Sequence, residues 1–359
     1  MTRNPAIASR TAKRFISEPS SRLVELYAEC DILNNSGRSG GTGRRAGLKI
    51  PYSQECVGST PSSGTIADTL MIRSSRVIVA LWLLLWASPA IAAGLPVLFI
   101  HGFCSSAETW DDTLPQLSTR RYGYDAPRLY ENANGKAAAR TLVRAGSRTF
   151  RIDFSDLSGG FDPLAVANVP TERKAGELKV VIDAIKQFTG APAVILVGHS
   201  LGGLAARSYM QGTGHDRNDI PIRYGRDVAA LIMIDTPNQG SRLAFVSGFP
   251  KQDECILADT VNLRELEPTS RFLRELNRRA WPAWVAVHSI ISSNAGTDSD
   301  DVVNTTSQDL TALQPYALLP EARRWVQTFE RNGVLHLRVH NEATTVSLFT
   351  GIISDIDGK

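Results

Sequence analysis

The stretch "AVILVGHSLGGLAARSYM", residues 193–210, constrains the fold more than any other part of the chain. Residues 193–198 are a short apolar run rich in branched side chains, which predicts a fully buried strand. Helix formers follow at once, from Leu201 onward. A strand that passes directly into a helix leaves Ser200 on a sharp turn. Gly198 and Gly202 give that turn room which larger residues would crowd, and Gly203 allows close helix packing. The turn lifts a hydroxyl to a helix N-terminus, where free N–H groups and the helix dipole favour negative charge. Ser200 is therefore a candidate nucleophile.

The surroundings repeat the strand–helix theme. "PVLFI" (96–100), "RTFRIDF" (148–154), "VAALIMID" (228–235), "AWVAVHSIIS" (283–292) and "VLHLRVH" (334–340) are expected strands. Residues 172–188 predict an amphipathic helix with Leu178, Val181, Ile182, Ile185 and Phe188 on one stripe, stopped by Gly190 and Pro192. Strands alternating with helices predict an α/β fold, a mostly parallel central sheet with helices on both faces. Two stretches, 105–147 and 241–280, show no clear strand. The second reads as helical and is expected to be a cap inserted over the site.

The 359 residues carry 39 Lys and Arg against 36 Asp and Glu, but unevenly. Residues 1–92 hold 11 basic and 6 acidic groups, leaving 28 and 30 for the body. That body has no basic field of the kind nucleic acid requires. The excess has its own explanation in "MIRSSRVIVALWLLLWASPAIAA" (71–93). Arg73 and Arg76, an apolar run from Val77 to Ala87 and Ala90-Ile91-Ala92 form the three parts of an export signal cleaved after Ala92. The run is too short to span a bilayer. Translation is then expected to start at Met71, with residues 1–70 a disordered leader read from an over-extended frame. Residues 93–359 form the expected catalytic domain, exported to the periplasm or secreted. Of four cysteines, Cys104 and Cys255 lie in that body, and sequence position leaves open whether they pair. Nothing in the cysteine spacing calls for a metal, and no cofactor is expected.

A serine hydroxyl needs a base, and the base needs an acid that fixes its tautomer. For a nucleophile on a strand-to-helix turn, the chain order is serine, acid, histidine. Of the six histidines, His101 and His199 precede Ser200, His215 follows it closely in a polar loop, and His288 lies within an expected strand. His336 and His340 remain. They are expected on one face of the last strand, with His340 at its end as the base and His336 as the alternative. The acid is expected just beyond residue 292, where "SSNAGTDSDDVVNTTSQDL" offers Asp298, Asp300 and Asp301. Two backbone donors should face the developing oxyanion. They are the N–H groups of Leu201 and of Phe103, in the "HGFCSS" loop shaped by His101 and Gly102.

Together "PVLFIHGF", "VGHSLGGL", "IDTPNQGS" and "DSDDVVNTTS" resemble the lipase/esterase branch of the α/β-hydrolase superfamily, over most of residues 96–340. The resemblance implies the α/β-hydrolase fold, carboxylic-ester hydrolysis on small-molecule or lipid esters, and transient contact with lipid interfaces. Phospholipase, thioesterase, amidase and acyltransferase chemistry share the same machinery. A non-catalytic binding module is the alternative from another class. In those relatives the acid precedes Gly-Val-Val. Asp300-Asp301-Val302-Val303 fits if Asp301 replaces the glycine, which favours Asp300. The resemblance also implies Phe103 and Leu201 as oxyanion donors.

Overall fold

Among the described residues eight strands, numbered in chain order, form one sheet in the order β3-β2-β4-β1-β5-β6-β7-β8. In the computed structural model the described residues are 94–117, 126–241, 254–255, 257–320, 324–331 and 336–358, all within one compact unit. The expected leader at 1–70 and the expected export signal at 71–92 lie outside the described residues, as does part of the expected cap.

The centre of the sheet comprises β1 (Val97–Ile100), β4 (Thr149–Ile152), β5 (Val194–His199), β6 (Val228–Ile234) and β7 (Ala286–Asn294), every neighbouring pair parallel. β8 (Arg324–Arg331) adds a parallel edge, and β2 (Arg128–Glu131) with β3 (Ala137–Ala139) closes the other edge through an antiparallel pair. Both faces of the central strands are buried, so alternate residues enter different cores. Leu98 and Ile100 pack with Leu178, Val181, Ile182 and Ala205. Val97 and Phe99 pack on the opposite side with Ile195, Ile232, Val346 and Phe349. The first core is covered by α2 (Thr171–Thr189) and α3 (Leu201–Gln211), which follow the short α1 (Pro163–Ala167). The second is covered by the C-terminal helix Ala343–Asp357. Gly190 ends α2 with a left-handed φ of 70°.

A third, smaller cluster concerns the site. Short helices α4 (Val261–Glu265) and α5 (Arg271–Leu276) bring Leu266, Phe272, Leu273 and Leu276 onto Phe103, Leu201 and Leu204. A Cys104–Cys255 disulfide joins the loop after β1 to this segment.

Several expectations need correction. The described part of the expected strand at 334–340 is not extended: His336–Arg338 turn, and Val339–Asn341 form a 3-10 helix. The last strand among the described residues is Arg324–Arg331, RWVQTFER, a mixed polar and apolar run at the sheet edge. Region 105–147 supplies β2 and β3, too short for periodicity to reveal. Phe188, expected on the buried stripe, sits near the end of α2 and is 37% exposed. No helix among the described residues is long and apolar enough to cross a membrane.

Candidate active site

The junction of β5 and α3 is the sharp turn its sequence implies. Ser200 has φ 53° and ψ −126°, a left-handed backbone rarely adopted by a residue with a side chain. Its N–H is tied to the Ile234 carbonyl at 2.9 Å. The neighbouring glycines are required by close approach. A Cβ on Gly202 would lie 2.5 Å from the Ile100 carbonyl oxygen, and one on Gly198 would lie 2.7 Å from the Gly203 nitrogen. The loop after β1 is equally tight: a Cβ on Gly102 would lie 3.0 Å from that of Ser200. Phe103 and Leu201, which follow Gly102 and Ser200 in the chain, share one buried cluster. Leu201 opens α3, where a backbone N–H has no intrahelical acceptor. His101 holds the loop by donating from Nδ1 to the Gly102 carbonyl at 3.0 Å, and its Nε2 accepts from Phe154 N at 3.3 Å. Burial lowers its pKa to about 4, so the ring stays neutral.

Of the three acids, Asp300 is fully buried, while Asp298 and Asp301 are exposed. Asp300 Oδ1 accepts from Val302 N at 2.9 Å and Val303 N at 2.6 Å. Oδ2 accepts from Gln308 Nε2 at 3.2 Å and lies 2.6 Å from His336 Nδ1. Burial works against its charge. His336 and these hydrogen bonds more than offset that, and the carboxyl sits below its ordinary range. Asp301 does occupy the glycine position in conformation, with φ 81°. Its side chain turns away to Asn294.

The structure pairs the acid with His336, not with His340, and so corrects the preference between the two histidines. His336 donates from Nδ1 to Asp300, and its Nε2 is buried without a hydrogen-bond partner. This is the tautomer in which Nε2 can accept a proton. His340 instead donates from Nε2 to the Thr109 carbonyl at 2.8 Å, with its ring edge-on to Trp110 at 5.0 Å. Burial lowers its pKa to about 4. The chain order serine, acid, histidine holds with either residue; the preference for His340 rested on an extended strand, and residues 336–341 turn instead, so His336 meets Asp300 while His340 meets Thr109.

Two participants were missed. His199 donates from Nε2 to the His336 carbonyl at 3.0 Å, fastening the nucleophile turn to the histidine loop. Asp235 directly follows β6 and is fully buried, with Ser292 N donating to it at 3.0 Å. An aspartate closing an otherwise apolar strand was the available signal. Asp235, Asp300 and His336 are the one group of three side chains among the described residues close enough to share a metal ion. Two of them are already bonded to each other, which argues for an acid–base relay over a coordination sphere.

This strand–elbow–helix site on a mostly parallel sheet defines an α/β hydrolase. The profile of the Alpha/beta hydrolase family matches residues 97–345, and the chain belongs to that family. Among solved structures, it is similar to mature Bacillus licheniformis lipase BlEst2, with 16% identity and a TM-score of 0.46 over 73% of this chain and 92% of that one. It is similar to Aspergillus fumigatus lipase B at 16% identity and a TM-score of 0.46, over 74% and 55% of the two chains. EstA from Clostridium botulinum aligns at 12% identity and a TM-score of 0.45, over 76% and 90%. Likenesses this weak say nothing of substrate. No functionally described protein sequence matches the chain significantly.

Proposed function

We propose that this protein is a serine hydrolase that cleaves carboxylic esters through an acyl-enzyme, with Ser200 as nucleophile, His336 as base and Asp300 as acid. The observation that carries the reading is the His336–Asp300 hydrogen bond at 2.6 Å, which leaves a buried, unpartnered Nε2 on a loop fastened to the Ser200 turn. His336 Nε2 takes the Ser200 proton as Oγ attacks the ester carbonyl. The oxyanion meets the N–H groups of Leu201 and Phe103, and each such donor is worth roughly a hundredfold in turnover. His336 then protonates the leaving alcohol, and water releases the acid by the reverse steps. Asp300 keeps the proton on Nδ1 and stabilises the imidazolium.

Lipid-like acyl esters are the proposed substrates, met at a lipid interface. The Cys104–Cys255 disulfide supports export to an oxidising compartment. Fluorophosphonate labelling tests the mechanism: the wild type is labelled and Ser200→Ala is neither labelled nor active on p-nitrophenyl esters. Retained turnover in that variant rejects the reading. A series of esters from acetate to palmitate tests the acyl preference, and greatest activity on short soluble esters would make the protein an esterase rather than a lipase.

A further inference from the structure

The acid end of the candidate triad holds two carboxyl groups, one more than the mechanism uses. Asp235 and Asp300 are both fully buried, and polar side-chain atoms of Asp235, Asp300 and His336 lie within 4.8 Å of one another. Two buried carboxyl groups this close cannot both carry a charge, so the pair holds one proton. The donors are divided unequally. Asp300 receives N–H groups from Val302, Val303, Gln308 and His336. Asp235 receives only the N–H and hydroxyl of Ser292, at 3.0 and 2.5 Å. Gln308 bridges the two sides, its Oε1 accepting from Ser292 N at 2.9 Å while Nε2 reaches Asp300. Two adjacent buried carboxylates cannot both ionise, and the charge belongs where the donors are.

We propose that Asp235 is a positioning residue that acts as a neutral carboxylic acid, donating a hydrogen bond to Asp300 and holding that carboxylate against His336 without adding a second negative charge. The inference rests on the Ser200–His336–Asp300 reading above. Its proton stays in place during turnover: His336 gains and returns the Ser200 proton at Nε2, while the Asp235 proton stays between the carboxyls. The titratable groups around the pair are His336 directly and, behind it, His199 and His340, the His199 ring centroid being 4.8 Å from that of His336 and 4.6 Å from that of His340. Burial and then the neighbouring Asp300 charge raise the Asp235 carboxyl well above its ordinary range, in agreement with this division.

The charge state can be read without activity. Infrared spectra of the whole protein at neutral pH should contain a protonated carboxylic-acid carbonyl band that disappears in Asp235→Asn. The same band should persist in Ser200→Ala, so it stands or falls separately from the catalytic reading. Absence of the band overturns the proposal.

Kinetics give the second arm, with p-nitrophenyl acetate as substrate. Asp235→Asn replaces one neutral group by another, so the acid limb of kcat/KM against pH keeps its midpoint. A downward shift of about one pH unit would mean that a negative charge had been removed, and would overturn the proposal. Asp235→Ala removes the donor and should lower kcat about tenfold with KM held within about twofold, a loss that Asp235→Asn partly recovers. Wild-type kcat in a folded Asp235→Ala protein also overturns it. Should the alanine variant fail to fold, the infrared band and the asparagine profile decide.

Discussion

His199, the residue before the candidate nucleophile, donates from Nε2 to the backbone carbonyl of His336 at 3.0 Å. One hydrogen bond thus ties the turn that carries the Ser200 hydroxyl to the loop that carries His336, the proposed base. Burial, followed by the neighbouring His340 and His336, depresses the His199 pKa well below the usual value, so its ring stays neutral. His199→Leu should lower kcat about tenfold with little change in KM, the value of one hydrogen bond acting on geometry. His199→Gln, which retains a donor, should recover part of that loss in steady-state assays.

The two C-terminal histidines separate cleanly in activity. His336→Ala should reduce kcat on p-nitrophenyl esters about a thousandfold or more. His340→Gln should retain most of the wild-type rate, since His340 bonds Thr109 and packs on Trp110 rather than meeting the acid. The opposite ranking would return His340 to the role of base.

The adjacent acids separate as well, and in opposite directions. Asp300→Asn leaves His336 without its charged partner and should cost roughly a thousandfold or more in kcat. Asp301→Gly relieves a left-handed backbone, φ 81°, at the loss of one exposed hydrogen bond to Asn294. It should raise stability by about 0.5 kcal/mol and leave hydrolysis intact. Chemical denaturation alongside ester assays checks both.

His340 should make the folded state sensitive to acid. Its folded pKa, about 4, lies below the ordinary 6.5. Between those values the unfolded chain binds a proton that the folded chain refuses, so stability falls as pH falls from 6.5 towards 4. The contribution is about 3 kcal/mol across that window. His340→Gln should lose this part of the slope, seen by comparing urea midpoints of the two proteins through the same pH range.

The Cys104–Cys255 disulfide closes a separation of 151 residues and pins the loop bearing Phe103 to the segment packed over it. Cys104→Ala with Cys255→Ala should lower stability by roughly 2–5 kcal/mol. Equilibrium denaturation measures that cost directly. Reduction of the wild type by a thiol should reproduce it.

Much of this architecture was legible in one dimension. The central strands are apolar on both faces and bounded by glycine and proline, so their local composition already differs from that of any amphipathic helix. The elbow was legible for a related reason. Gly198 and Gly202 carry their steric requirement in the chain itself: Gly202 must clear the backbone of Ile100 and His101, and Gly198 that of Gly202 and Gly203. The edge strands were not legible. Four residues at Arg128–Glu131 and three at Ala137–Ala139 are too few for a period to appear, and pairing alone makes them strands.

The site divides along the same line. Sequence by itself determined the buried parallel sheet, the bend at Ser200 and the acidic stretch that holds Asp300, because each follows from residue size, branching or polarity within a few positions. Only the tertiary structure decided that Asp300 meets His336, that His340 turns to Thr109, that Asp235 stands behind the acid, and that Cys104 reaches Cys255. Those partners come from distant segments. Which side chain faces which depends on how residues 336–341 turn between the last strand and the last helix, and local pattern does not encode that path.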